Sequence, residues 1–219
     1  NGGSNAPSSQ TKYYGTDLTL SSSQPTRNGY TFLGWATSSG ASSPTYYPGS
    51  TYSANSSVTL YAVWRVNRYC ITYNANGGSF SLSSQYKDHG ETVTLSTSKP
   101  TRTGYTFMGW ATSSSSTTVS YQAGGTYSNN ANVTLYAVWK ANEYTVTYNA
   151  NGGINAPSSQ TKYYGTNLTL SSITPTRSGY TFLGWATSSG ATTASYQAGG
   201  TYSNNANVSL YAVWKANTY

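Results

Sequence analysis

GYTFLGWATSSG, residues Gly29 to Gly40, returns letter for letter at Gly179 to Gly190, with the near copy GYTFMGWATSSS between them at Gly104 to Ser115. The interval is 75 residues both times. Asn-Gly-Gly at residues 1, 76 and 151 and LYAVW from Leu60, Leu135 and Leu210 keep the same interval, with no insertion between these landmarks. A fixed period of this kind is settled before any other reading, because it dictates the architecture. One catalytic constellation needs one copy, so three copies point to structure or avidity.

Within the third copy, Tyr144, Val146 and Tyr148 alternate with Thr145 and Thr147, the period of a half-buried strand. Asn149 to Gly153 supplies turn residues that accept positive φ. A short strand is expected around Asn167 to Ser171. A third, Tyr180 to Thr187, sets Tyr180, Phe182, Gly184 and Ala186 on one side and Leu183 and Trp185 on the other. The last, Val208 to Lys215, turns Val208, Leu210, Ala212 and Trp214 one way and Tyr211 and Val213 the other, outward. No window carries a 3.6-residue period, so the fold class is mainly β with little or no helix. A unit this small has a marginal core, which large rings fill. The expected core rings are Tyr30, Phe32, Trp35 and Trp64, with Tyr105, Phe107, Trp110 and Trp139, and Tyr180, Phe182, Trp185 and Trp214.

The blocks Y-x-V-T-Y-N-A-N-G-G, P-T-R-x-G-Y-T-F-x-G-W and L-Y-A-V-W, in fixed order over essentially the whole chain, resemble the Listeria/Bacteroides repeat, also called the internalin-type B-repeat. The resemblance implies small β-grasp-like domains in tandem, in secreted or cell-surface proteins with adhesive or stalk roles and no enzymatic activity. The frame then divides into residues 1–68, lacking the opening strand, 69–143 and 144–218. Tyr219 falls where the next opening strand would begin. The chain is expected to be a piece of a longer array, or to receive the absent strand from a neighbouring molecule beside Leu18 and Leu20, with Tyr219 in the exchange. Three units of compact scaling in line would form a rod on the order of 90 Å long.

Composition excludes much else. Only 7% of the 219 residues are charged and 15% are aromatic, a folded and polar but weakly charged chain suited to the cell exterior. The formal +7 divides into +3, +1 and +3 along the copies with its basic residues scattered singly, which is not the footprint of a nucleic-acid binder. Cys70 and His89 are the only residues of their types, so neither an intrachain disulfide nor a histidine cluster exists, and no metal or cofactor is expected. No apolar run has the ~20 residues needed to insert this segment into a bilayer. The acids are Asp17, Asp88, Glu91 and Glu143, and none recurs at one place in all copies. Asp88, His89 and Glu91 read as a solvated loop, and the chain as no enzyme. A Lys-Asn isopeptide needs a neighbouring acid, which residues 151–218 lack. Sequons at Asn55, Asn132, Asn167 and Asn207 are acceptor sites for glycans in an N-glycosylating organism. The expected function is an extracellular stalk, fibre or adhesin segment whose partners are copies of itself or of its array. The alternative is a cell-surface glycan or cell-wall binder that stacks exposed Tyr and Trp on sugars, with avidity from repetition.

Overall fold

A computed structural model describes residues 1–218. The first module holds β1 (Leu18–Thr19), β2 (Tyr30–Ala36), β3 (Thr51–Tyr52) and β4 (Tyr61–Val66). The second holds β5 (Arg68–Asn74), β6 (Gln85–Asp88), β7 (Val93–Thr94), β8 (Tyr105–Ala111), β9 (Thr126–Tyr127) and β10 (Val133–Ala141). The third repeats this set as β11 (Glu143–Asn149), β12 (Gln160–Tyr163), β13 (Leu168–Thr169), β14 (Tyr180–Ala186), β15 (Thr201–Tyr202) and β16 (Val208–Ala216). There is no helix among the described residues. The fold class is therefore mainly β, as the sequence pattern predicts.

In the third module β11 lies inside a four-stranded sheet of order β12-β11-β16-β14. It pairs antiparallel with β12 and parallel with β16, where Val146 faces Val208 and Tyr148 faces Leu210. The alternating Tyr-Thr-Val-Thr-Tyr writing explains this position, since an interior strand must present β-branched or aromatic side chains to packed neighbours. Val146 is 0% exposed, as is Ile71 at the same place in β5. Each complete module has its own core. Val146, Leu170, Trp185, Tyr202, Leu210 and Ala212 form one cluster, and Ile71, Leu95, Trp110, Tyr127, Leu135 and Ala137 form the other.

The third strand departs from strict alternation. The ladder between β14 and β16 shifts between Phe182 and Gly184, so Leu183 is bulged out of the pairing. One extra residue turns the following side chain over. Phe182 and Trp185, expected on opposite sides, consequently meet edge to face at 5.0 Å. Val213, expected to face outward beside Tyr211, is buried at 2% exposure. The bulge depends on Gly184, which sits at φ 136, and a Cβ there would meet the Ala194 side chain at 2.7 Å and the Tyr196 carbonyl at 2.5 Å. That carbonyl accepts the Trp185 N–H at 2.7 Å, so it has little room to retreat.

Substituting Gly184→Ala is expected to lower stability by roughly 1–3 kcal/mol from backbone strain, with the clash added. Gly190→Ala, at an exposed glycine with nothing within 4 Å, should stay within about 0.5 kcal/mol of the parent chain. Urea unfolding midpoints of the two variants measure the difference.

Candidate functional site

The modules differ at one place, the seat of the opening strand. In the second module β5 fills it, paired antiparallel with β6 and parallel with β10. Side chains reinforce the ladder. The Tyr73 hydroxyl bonds Gln85 Oε1, and the Ser96 N–H donates to the Tyr73 oxygen at 3.1 Å. Thr72 and Thr134 join hydroxyls at 2.9 Å, and the Asn132 amide oxygen accepts the Cys70 N–H at 2.8 Å. In the third module Tyr148, Thr147 and Asn207 make the same bonds.

In the first module this seat is an open groove of about 730 Å³, lined among others by Gln10, Leu18, Leu20, Trp35, Tyr52 and Leu60. Gln10 already accepts the Ser21 N–H at 2.8 Å and donates to the Thr19 carbonyl at 3.0 Å, as Gln85 and Gln160 do with their own counterparts. The groove thus keeps the glutamine fitting of a filled seat, whereas Ser57 stands where the filled seats carry Asn132 and Asn207. Its apolar wall is more open: Leu20 and Trp35 are each 8% exposed, against 1% for Leu95 and 0% for Trp110. Leu18 begins β1 and Leu20 lies in the wall, whereas Tyr219, the third residue expected in strand exchange, lies outside the described residues.

A second recurring feature joins the modules. Asn67 stands between β4 and β5, where its N–H donates to the Gly29 carbonyl at 2.9 Å and its own carbonyl accepts the His89 N–H at 2.8 Å. Asn142 repeats both bonds with Gly104 and Tyr164. The His89 ring lies on Gly29 and the Tyr164 ring on Gly104, close enough that any Cβ would collide. Tyr164 also meets Tyr105 edge to face at 5.7 Å. His89 is therefore a joint residue in contact with Gly29, its ring nitrogen 3.2 Å from the Tyr69 hydroxyl. Asp88 lies in β6 opposite Arg68, and Glu91 is exposed in the following turn. Among the described residues no three His, Cys, Asp or Glu side chains gather where a metal could sit. The only ion pair there is Lys140–Glu143, at 3.0 Å on the surface.

A third feature escaped sequence reasoning. Lys87 and Lys162 are buried at 4% and 1% exposure, each with its ammonium 2.8 Å from an amide oxygen, of Asn130 and Asn205. Lys12 and Asn55 form the same pair at 3.0 Å in the open first module. Each asparagine oxygen also accepts a glycine N–H, from Gly15, Gly90 or Gly165. The signal was present as a lysine and an asparagine at constant places in the period. All four sequon asparagines are exposed, and Asn55, Asn132 and Asn207 use their amide oxygens in internal bonds.

The rings expected in the core divide by depth. Trp35, Trp110 and Trp185 are buried, the last two with indole N–H groups lacking any acceptor. Phe32, Phe107, Phe182, Trp64, Trp139 and Trp214 are half-buried against them. Tyr30, Tyr105 and Tyr180 lie at the edge under arginine guanidiniums. Burial also raises the Tyr73, Tyr127, Tyr148 and Tyr202 hydroxyls above the usual phenol pKa.

The family model described as the Listeria-Bacteroides repeat domain matches residues 1–63, 69–138 and 144–213. A Gly-rich membrane protein of Evansella cellulosilytica is 32% identical over 217 residues, 98% of this chain and 24% of that protein. A second membrane protein of that organism is 31% identical over 221 residues, 99% of this chain and 32% of its own length. Internalin H of Listeria monocytogenes is 33% identical over 93 residues, 39% of this chain and 15% of the internalin. The chain thus spans a third or less of the length of each. No helix among the described residues is long and apolar enough to cross a membrane.

Asn205→Ala should cost roughly 1–3 kcal/mol, because it leaves the buried Lys162 ammonium with only the Tyr163 carbonyl and takes the acceptor of the Gly165 N–H. Lys162→Met removes the charge, keeps the stem volume and should cost less than half as much, as chemical denaturation will show. Alkali adds a separate test. The folded chain holds its buried phenolic protons beyond the pH at which the unfolded chain releases them. Stability should therefore be full below about pH 10 and fall as pH rises above it.

Proposed function

This chain belongs to the Listeria-Bacteroides repeat domain family, and on that premise we propose that it is a non-enzymatic spacer within an extracellular stalk, fibre or adhesin. Its likeness to an internalin supports the surface location. In this reading the modules are β-grasp-like units set in line as a rod, and consecutive units are linked by handing over one strand. The observation that carries the reading is the joint repeated at Asn67 and Asn142, each of which bonds a glycine carbonyl of one module and a backbone N–H of the next. The groove of the first module has Gln10 placed as Gln85 and Gln160 are, with Ser57 where the other two carry Asn132 and Asn207. An extended segment of the Tyr-x-Val-Thr-Tyr-Asn pattern fits it by backbone pairing along Val58 to Leu60, with the central apolar side chain against Leu20 and Trp35.

In the second module the corresponding strand, β5, follows β4 across the single residue Asn67 and pairs within its own module. The joints keep adjoining units in fixed contact through paired backbone bonds and a ring seated on glycine. A structural role of this kind calls for neither cofactor nor catalytic residue.

The test uses the whole chain and a synthetic peptide, Tyr-Thr-Val-Thr-Tyr-Asn-Ala. One peptide should bind per chain and slow amide exchange at Val58 to Leu60, leaving exchange along β16 unchanged. At one hundred times its dissociation constant the peptide should stabilise the first module by about 2.7 kcal/mol. A peptide with arginine in place of the valine should not bind. Failure of the parent peptide to protect these amides would remove the basis for strand addition.

A further inference from the structure

Arg27, Arg102 and Arg177 occupy one place in the period, and each guanidinium lies over a tyrosine ring, at 3.7, 3.9 and 3.9 Å from Tyr30, Tyr105 and Tyr180. The other side of each is closed by a backbone turn, where a Cβ on Gly2, Gly77 or Gly152 would touch the guanidinium carbon at 3.4, 3.5 or 3.3 Å. The cations are thus held in place by stacking. None of them donates to a protein acceptor among the described residues, and the one ion pair there, Lys140–Glu143, involves no arginine. Stacking fixes the fork and leaves its N–H groups free, the state in which a guanidinium best receives a planar oxyanion.

Beside Arg102 opens a shallow cleft of about 760 Å³, lined by Gly78, Pro100, Tyr105, Phe107 and Trp139 among others. Trp139 is fixed as well. Its indole N–H donates to the Ala75 carbonyl at 3.0 Å, and its ring lies against Gly78. Trp64 and Trp214 are tied the same way, to the Asn1 carbonyl at 2.9 Å and the Ala150 carbonyl at 3.0 Å, with their rings on Gly3 and Gly153. Each module therefore sets one free guanidinium next to immobilised aromatic rings.

We propose that these three places bind uronic-acid residues of an acidic polysaccharide, with the sugar carboxylate on the arginine and the apolar C–H face of the pyranose on the rings. A carboxylate matches the fork with two parallel N–H bonds, and a ring with an apolar face matches the rest of the cleft. The formal +7 of the chain complements such a polymer. A nucleic acid matches less well, because its strand carries a charge about every 3.4 Å, whereas this chain offers one such cation per module. One site in each of three linked modules adds affinity on a long polymer through effective concentration. This goes beyond the spacer role, and it stands on the arginine places independently of the strand seat.

The test is a titration of the full chain with oligogalacturonate, read by calorimetry and by tryptophan fluorescence. The combined variant Arg27→Gln, Arg102→Gln, Arg177→Gln should weaken binding at least about ten-fold. A matched control, Arg65→Gln, Lys140→Gln, Lys215→Gln, removes the same charge from exposed positions next to Trp64, Trp139 and Trp214 in sequence. It should stay within about two-fold of the parent chain. Thermal melts of both variants verify folding, and single Arg102→Lys should lose affinity while keeping the melt. Equal loss in the control would reduce the effect to net charge and overturn the proposal. So would tighter binding of polyphosphate or oligothymidylate than of oligogalacturonate, or no binding of oligogalacturonate at all.

Discussion

Everything in a complete module is arranged around one strand that has neighbours on both edges and none of its central side chain left in water. Ile71 and Val146 have zero exposure, and the tryptophan, tyrosine and leucines of each cluster close over them. A strand with two paired edges satisfies its backbone polar groups completely, which is the condition for burying it. In the first module, described from Asn1, the counterparts Leu20 and Trp35 are each 8% exposed, against 1% for Leu95 and 0% for Trp110.

Much of this was legible from the residues. Tyr144 to Tyr148 announce a half-buried strand through their alternation, which the fold places in the interior of its sheet, and Leu210, Ala212 and Trp214 do fall on one face of β16. The period located every module and made the resemblance to a repeat family specific. What escaped had a common physical origin in local exceptions to periodicity. Leu183 is bulged, and a single extra residue reverses the reading of the side chains beyond it on that strand, so Trp185 ended on a face the alternation did not assign; Val213 keeps its assigned face on β16, and that face is covered. The two-residue strands β9 and β15 are too short to show any period, yet they deliver Tyr127 and Tyr202 to the core. The lysine and asparagine pairs lie 43 residues apart, and only the folded chain brings them within hydrogen-bond reach.

The sites share a second trait, which is economy of ionic contact. Among the described residues one ion pair serves the whole molecule, and positional order comes from amide oxygens, backbone carbonyls and ring-on-glycine contacts instead. Such contacts are short-ranged, so they are little affected by ionic strength. Three stacked guanidiniums are then left without internal duties, and their availability follows from the scarcity of acids in the sequence.

The pairing of first and last strands within a module has one more consequence. Chain enters the second module along β5 and leaves along β10, and these two strands are parallel neighbours in register from Ile71 opposite Val133 to Asn74 opposite Tyr136. Tension applied through the two joints draws β5 backward and β10 forward, so it loads the shared backbone bonds in shear, all at once rather than one by one. A module wired in this way resists being pulled apart far better than one whose ends lie on antiparallel strands that can unzip from a single end.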